Sequence, residues 1–301
     1  MIYKPRTKPN ELITLGLLNK RMDLNSEDKK YYFSLKKGYE GEMLFDTFTE
    51  KLQCDCLVLN DLLFEVSNTT FQIDTLIILQ EMIYFYEVKY HEGDYYYEKD
   101  KLFKKPRKEV INPLHQLSRS DSLLRQLLLS LGTNPQINAS VVFNNPKFTL
   151  YQAPMDKPII LPTQVNSYTE SLNSIPSKLT VKNKKLAEQL VALHKTKSKY
   201  SKLPYYDYDQ LRKGIACAEC QSLSVTVVKS KCICSECGYE ESVTNAVLRN
   251  IKEFQILFPD KRLTTNIIHD WCMVVKSKQR IRKILSNNFK IVGVHQWAYY
   301  I

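Results

Sequence analysis

The sequence predicts an α/β domain followed by two small modules, and three observations point there. A helical pattern, three strand-like runs, a second helix and a further strand succeed one another in the first half of the chain. Two Cys-x-x-Cys pairs follow at Cys217, Cys220, Cys234 and Cys237. Beyond them, apolar residues recur at helical spacing beneath a strongly basic face.

The first helix is expected over Gly38 to Gln53, where Met43, Leu44, Phe48 and Leu52 repeat at intervals of three and four, and the glycines at its start permit close packing. Cys56 to Val66, Phe71 to Leu79 and Met82 to Tyr90 are apolar, β-branched or aromatic runs divided by short polar turns, which read as a strand meander. Asn112-Pro113 opens a helix through Leu117, Leu124, Leu127, Leu128 and Leu131 that Gly132 stops, and Ile137 to Phe143 is another strand.

With 301 residues, 44% of them hydrophobic, the chain can bury one sizeable core and still furnish smaller modules. No run approaches the roughly 20 apolar residues of a membrane helix, and the start lacks the apolar stretch of a signal peptide, so no membrane partner and a cytoplasmic location are expected. The net charge of +11 predicts attraction to a polyanion, nucleic acid or an anionic membrane. That excess lies mostly in the C-terminal half: Ser177 to Tyr205 holds eight lysines against Glu188 alone, and Asn245 to Ile301 ten basic residues against three acids.

Two acids interrupt the apolar strands, Asp74 in Gln72-Ile73-Asp74-Thr75-Leu76 and Glu87 in Tyr86-Glu87-Val88-Lys89. A hairpin turn centred on Gln80 and Glu81 makes Asp74 and Glu87 cross-strand partners. Facing carboxylates repel unless a cation lies between them, which suggests a divalent ion with oxygen ligands, Mg²⁺ or Mn²⁺. Alternation puts Lys89 on the face of Glu87, where its ammonium would orient or polarise an attacking water. Taken alone, an acid and a lysine two apart on a strand are a solvated ion pair.

These residues do not stand alone. With Gly38-x-x-Gly41-Glu42 before them and Asn112-Pro113-x-x-Gln116 after them, the set resembles the nuclease-related domain (NERD), a branch of the PD-(D/E)XK nuclease superfamily, over roughly Tyr31 to Pro146. The resemblance implies a mixed sheet flanked by helices, Asp74 and Glu87 as ligands of Mg²⁺, Lys89 as the catalytic lysine, and Glu42 and Gln116 as supporting groups from flanking helices. His91-Glu92-Gly93 and the Tyr-rich segment after it depart from the family's pattern, which bears on substrate contacts.

The paired cysteines have the spacing at which two tight turns aim four thiolates at one tetrahedral Zn²⁺, and the β-rich run Ser224 to Val228 between them fits a zinc ribbon. Cys232, two residues before Cys234, is read as a core or strand residue, although it offers a replacement ligand; a redox disulfide is the alternative chemistry. Such a closed site leaves no position for substrate, so its role is in folding.

Val247 to Phe258 and Thr264 to Val275 read as two helices, and a third, capped by Ser277, buries Ile281, Ile284 and Leu285. It leaves Lys276, Lys278, Gln279, Arg280, Arg282 and Lys283 outward. Phe289 to Val292 and Val294 to Ile301, anchored by Trp297 and Tyr299, suit a wing, so the module resembles a winged helix-turn-helix; a plain three-helix support is the alternative.

The expected division is an N-terminal flank over 1–30, the nuclease-type domain over 31–170, a basic helical linker over 171–210, the ribbon over 211–243 and a winged-helix-like domain over 244–301. The expected activity is Mg²⁺-dependent hydrolysis of nucleic acid, with double-stranded DNA foremost; the alternative is a non-catalytic nucleic-acid-binding regulator or scaffold on the same fold.

Overall fold

The computed structural model describes residues 1–195, 202–294 and 297–301. Residues 196–201 of the expected linker and 295–296 of the expected wing therefore lie outside the described residues.

In chain order the elements begin with β1 (Ile2–Lys4), α1 (Asn10–Arg21) and α2 (Ser26–Thr49). The meander is β2 (Leu57–Val66), β3 (Thr69–Ile78) and β4 (Met82–Lys89). An insertion carries β5 (Gly93–Glu98), β6 (Lys101–Lys104) and β7 (Lys108–Val110) before α3 (Pro113–Ser130). Then come β8 (Gln136–Phe143), β9 (Phe148–Tyr151), β10 (Ile159–Ile160), α4 (Val165–Leu172) and α5 (Val181–Leu193). The remainder is β11 (Val225–Val228), β12 (Lys231–Cys234), β13 (Glu240–Ser242), α6 (Val243–Leu257), α7 (Thr265–Cys272), α8 (Lys278–Asn288), β14 (Ile291–Val292) and β15 (Tyr299–Tyr300).

Two compact units result. The first contains Met1–Lys8 and the chain from Ser34 up to the linker; the second contains Pro9–Phe33 and Lys202–Ile301. The expected N-terminal flank is thus divided, because β1 pairs in parallel with β2 in the first unit while Leu17 and Leu18 of α1 join the core of the second.

The first unit is built on a mixed six-stranded sheet in the order β1-β2-β3-β4-β8-β10. The meander is antiparallel, and β8 lies parallel to β4 after the α3 crossover. Period-two alternation fills both faces: Leu57, Leu59, Leu76, Ile83 and Phe85 pack with Leu117, Leu124, Leu127 and Leu128 of α3, whereas Val58, Ile77, Tyr84 and Tyr86 pack with Phe45 of α2 and Val165 and Leu172 of α4. Strands buried on both sides must be apolar nearly throughout, which accounts for the unbroken hydrophobic runs. The cap of α3 is Asn112, whose side chain accepts a hydrogen bond from Leu114 N at 3.1 Å, and Gly132 ends the helix at φ +74°.

Three expectations are corrected here. α2 starts at Ser26 rather than Gly38, and it buries Gly41, Phe45, Asp46 and Thr49 while Met43 is exposed. The inward stripe is therefore offset from the Met43, Leu44, Phe48, Leu52 set, because the sheet surface accepts Phe45. α5 is no mere linker: Leu186, Ala187 and Leu190 are buried against β2, and its lysines line the opposite face. In the β14–β15 pair where a wing was expected, Tyr300 is buried and Trp297 is 73% exposed, so Tyr300 rather than Trp297 is the anchor.

The second unit has one core, shared by ribbon and helices. Val225, Cys232 and Cys234 of the small sheet β11-β12-β13 join Val247, Ile251 and Phe254 of α6, Trp271 of α7, and Ile281 and Leu285 of α8. The Arg21 guanidinium, fully buried, lies 4.0 Å from the Trp271 ring centroid and donates to Asn250 Oδ1 at 2.8 Å and Glu253 Oε2 at 2.9 Å. Arg21 is thus both paired and hydrogen-bonded, the condition for burying a charge. Among the described residues, no helix is long and apolar enough to cross a membrane.

Candidate active site and metal centre

The β3–β4 ladder runs from Ile78 opposite Ile83 to Thr75 opposite Tyr86, so the next positions outward are Asp74 and Glu87. Parity sets Asp74 on the face of Leu76 and Ile78, and Glu87 and Lys89 on that of Ile83 and Phe85; both look toward α3. Asp74 is 7% and Glu87 2% exposed. The strands deliver two carboxylates to one buried spot, as the hairpin register requires.

Three contacts organise that spot. Asp74 Oδ2 accepts the Val88 N–H at 2.8 Å. Lys89 Nζ donates to Glu87 Oε1 at 2.5 Å and to Gln116 Oε1, on α3, at 3.2 Å. Gln116 is thereby brought to the lysine by the first turn of α3.

Electrostatically the acids are uneasy. Burial, reinforced by Asp74, pushes the Glu87 carboxyl up to about 8, against the pull of Lys89. Burial also raises Asp74, opposed by Lys89 and the Val88 N–H. Burial lowers Lys89, but Glu87 and Asp74 outweigh it and leave the ammonium above its usual range.

Glu42 comes from the other side of the sheet. Gly41 before it lets α2 approach β4 closely, since a Cβ there would lie 2.8 Å from Cγ of Tyr90. Its carboxylate is bound by Arg6 Nη1 at 2.7 Å, with no hydrogen bond to Lys89 or Gln116 among the described residues. Burial and then Asp74 raise it to about 8 despite Arg6.

Arg6 and Asp46 are residues that sequence reasoning missed. The Arg6 side chain, 1% exposed, also donates to Asp46 Oδ2 at 2.8 Å, to the Asp74 carbonyl at 2.7 Å and to Thr75 Oγ1 at 3.3 Å. The available signal was an acid, Asp46, beside Phe45 on the inward face of a helix.

Residues 37–144 match the nuclease-related domain. The NERD segment holds Asp74, Glu87, Lys89, Glu42 and Gln116 and leaves Arg6 outside. The mixed α/β architecture around it is that of a nuclease-like fold. No curated protein and no solved structure matches the chain.

In the second unit, Cys217, Cys220, Cys234 and Cys237 bring their sulfurs within 4.8 Å of one another. Cys217 and Cys237 Sγ are 3.6 Å apart, as are Cys220 and Cys234 Sγ. A tetrahedral zinc with bonds of about 2.3 Å requires sulfur separations of about 3.8 Å, so this four-thiol cluster can hold a structural metal such as zinc. Gly238, at φ +74°, turns the chain after the second knuckle. Cys232 is buried in the core and is not among the four clustered cysteines. Among the described residues, the four cysteines are the one group of three or more potential ligands with spacing this close.

On α8, Lys278, Gln279, Arg282 and Lys283 are exposed, and the Ser277 hydroxyl caps the helix through Arg280 N at 3.2 Å. Lys276 is exposed but precedes the helix. Arg280 is half-buried because Nη1 donates to the Lys229 carbonyl at 2.7 Å. A cavity of about 510 Å³ in the first unit and one of about 730 Å³ in the second differ in setting: the latter is lined by Lys278, Gln279 and Arg282 with Thr265 and Tyr300.

Proposed function

We propose that the first unit is a divalent-metal-dependent nuclease that hydrolyses phosphodiester bonds, with DNA as substrate. One observation carries this reading: within a segment matching the nuclease-related domain, two buried carboxylates on adjacent strands stand beside an ammonium that α3 holds by Gln116.

The donor set fits Mg²⁺ or Mn²⁺. Asp74 and Glu87 offer hard oxygen ligands, and a raised carboxyl at Glu87 is relieved when a cation replaces the proton. The ion would polarise a phosphoryl oxygen and stabilise the charge that develops in displacement. Val88 N–H fixes the Asp74 carboxylate, and Gln116 fixes Lys89. Lys89 keeps its proton at working pH, so it acts as an electrostatic and orienting group for the attacking water rather than as a base. Glu42, steadied by Arg6, is the supporting group from α2.

The four cysteines hold zinc in a folding role, and Lys276, Lys278, Gln279, Arg280, Arg282 and Lys283 are proposed to contact DNA in a winged-helix manner. Here the geometry favours unequal shares, with Lys278, Gln279, Arg282 and Lys283 contributing most.

A second reading, a non-catalytic nucleic-acid binder, is favoured by the pairing of the acids within the protein: Glu87 with Lys89, and Glu42 with Arg6. Purified full-length protein with plasmid DNA and Mg²⁺ decides between them. Nicking that Asp74→Ala and Lys89→Ala both abolish, with folding retained, supports the nuclease; cleavage persisting in both variants refutes it. DNA retention without any metal-dependent cleavage supports the binder.

A further inference from the structure

The insertion between Lys89 and α3 has no role in the chemistry above. Its strands join β9 in a second sheet in the order β7-β6-β5-β9. One face belongs to the core, where Tyr95, Leu102 and Phe148 are buried. The β6–β7 turn and the strand ends beside it are charged: Lys104, Lys105, Arg107 and Lys108 are all exposed, and Pro106 is the one other residue in that stretch. None of the four cations pairs with an acid among the described residues, although neighbouring Lys101 does so with Glu109 at 3.1 Å.

This turn is joined to the active site by contacts. The His91 ring stacks on Tyr95 at 5.3 Å, and Lys104 Nζ lies 5.6 Å from the Tyr95 centroid. His91 is held near pH 4 as a base by burial and by three ammonium groups, Lys89, Lys104 and Lys37. Lys104 and Lys89 thus act electrostatically on one imidazole.

The aromatic residues of the sheet are engaged with one another and with lysine. Tyr96 stacks on Phe103 at 5.1 Å, and Lys105 Nζ covers Tyr151 at 3.6 Å from its centroid. Rings so occupied are poor platforms for unpaired bases, which need an open face. What the hairpin offers to solvent is positive charge without base-reading groups, the chemistry of backbone contact.

We infer that the β6–β7 turn is a phosphate-binding arm for double-stranded DNA, in which Lys104, Lys105, Arg107 and Lys108 hold the duplex backbone leading away from Lys89. The inference rests on the nuclease reading for its substrate class. Each phosphate contact contributes counterion release, so four contacts account for about 3–4 units in the slope of log affinity against log salt concentration.

The test is duplex-oligonucleotide binding by the full chain, followed by fluorescence anisotropy without added Mg²⁺, from about 50 to 200 mM salt. Combined Lys104→Ala, Lys105→Ala, Arg107→Ala and Lys108→Ala substitution is expected to weaken binding at least tenfold at low salt and to flatten the slope by about 3 units. Lys104→Arg, Lys105→Arg and Lys108→Arg together keep both, which separates charge from folding. An unchanged slope in the alanine variant, with the parent protein binding duplex, overturns the arm and leaves the nuclease reading intact. Equal loss on single-stranded DNA overturns the duplex assignment. Absence of duplex binding by the parent overturns both.

Discussion

Arg6 and Asp46 meet in a two-point ion pair, with Nε 2.8 Å from Oδ2 and Nη2 3.0 Å from Oδ1. The same guanidinium reaches Glu42 and the Asp74 carbonyl, so the segment after β1 fastens α2 to β3 directly beneath the acidic pair. Removing it leaves two acids without their cation. Arg6→Ala is expected to destabilise the first unit by about 3–5 kcal/mol, and Arg6→Lys, which cannot fork, by a smaller amount. Urea unfolding measures this; an Arg6→Ala midpoint equal to that of the parent protein contradicts the clamp.

The four-thiol cluster predicts metal content. Protein purified with zinc should carry one equivalent that Cys217→Ser or Cys237→Ser lowers sharply, with loss of ordered structure in the second unit. Cys232→Ala should retain the metal, because Cys232 is not one of the four clustered cysteines. Elemental analysis of the three variants checks this, and zinc lost from Cys232→Ala alone would reverse the ligand assignment.

His91 predicts a loss of stability in acid. Its folded value near 4 lies below the unfolded value of about 6.5, so as pH falls through that window the unfolded chain takes up the proton first. The penalty is absent above about pH 6.5 and complete below about pH 4, reaching up to about 3 kcal/mol. His91→Phe keeps the stacking on Tyr95 and removes the titration. Comparing its urea midpoint with that of the parent at neutral and mildly acidic pH should show the variant losing less; parallel losses would exclude the effect.

Helix α8 predicts an ordered series in DNA affinity. Lys278→Ala, Arg282→Ala and Lys283→Ala should each reduce the salt slope by about 0.9. Arg280→Ala should change the slope less and stability more, since its guanidinium is tied to the Lys229 carbonyl. Slopes equal to that of the parent in all four variants would place the DNA contact elsewhere.

Much of this was legible locally. Apolar alternation around Gln80-Glu81 set the hairpin register, and a one-residue slip would have sent every side chain to the wrong face, so the Asp74 and Glu87 positions followed from the sequence. Asn112, Gly132 and Ser277 marked helix ends through bonds to neighbours a few residues away. The cysteine spacing likewise encodes its own geometry.

Other features needed the assembled chain. Arg6 reaches Asp46 across 40 residues and Asp74 across 68, and no local pattern tells an N-terminal arginine which buried acid it will meet. Phe45 rather than Met43 faces inward because the sheet surface, not the helix alone, selects the buried stripe. α1 and α5 each joined a core that their own sequences do not reveal, since an amphipathic helix specifies that it must bury a face but not against what. Sequence fixes period and chemistry at short range; partners distant in the chain are chosen by packing.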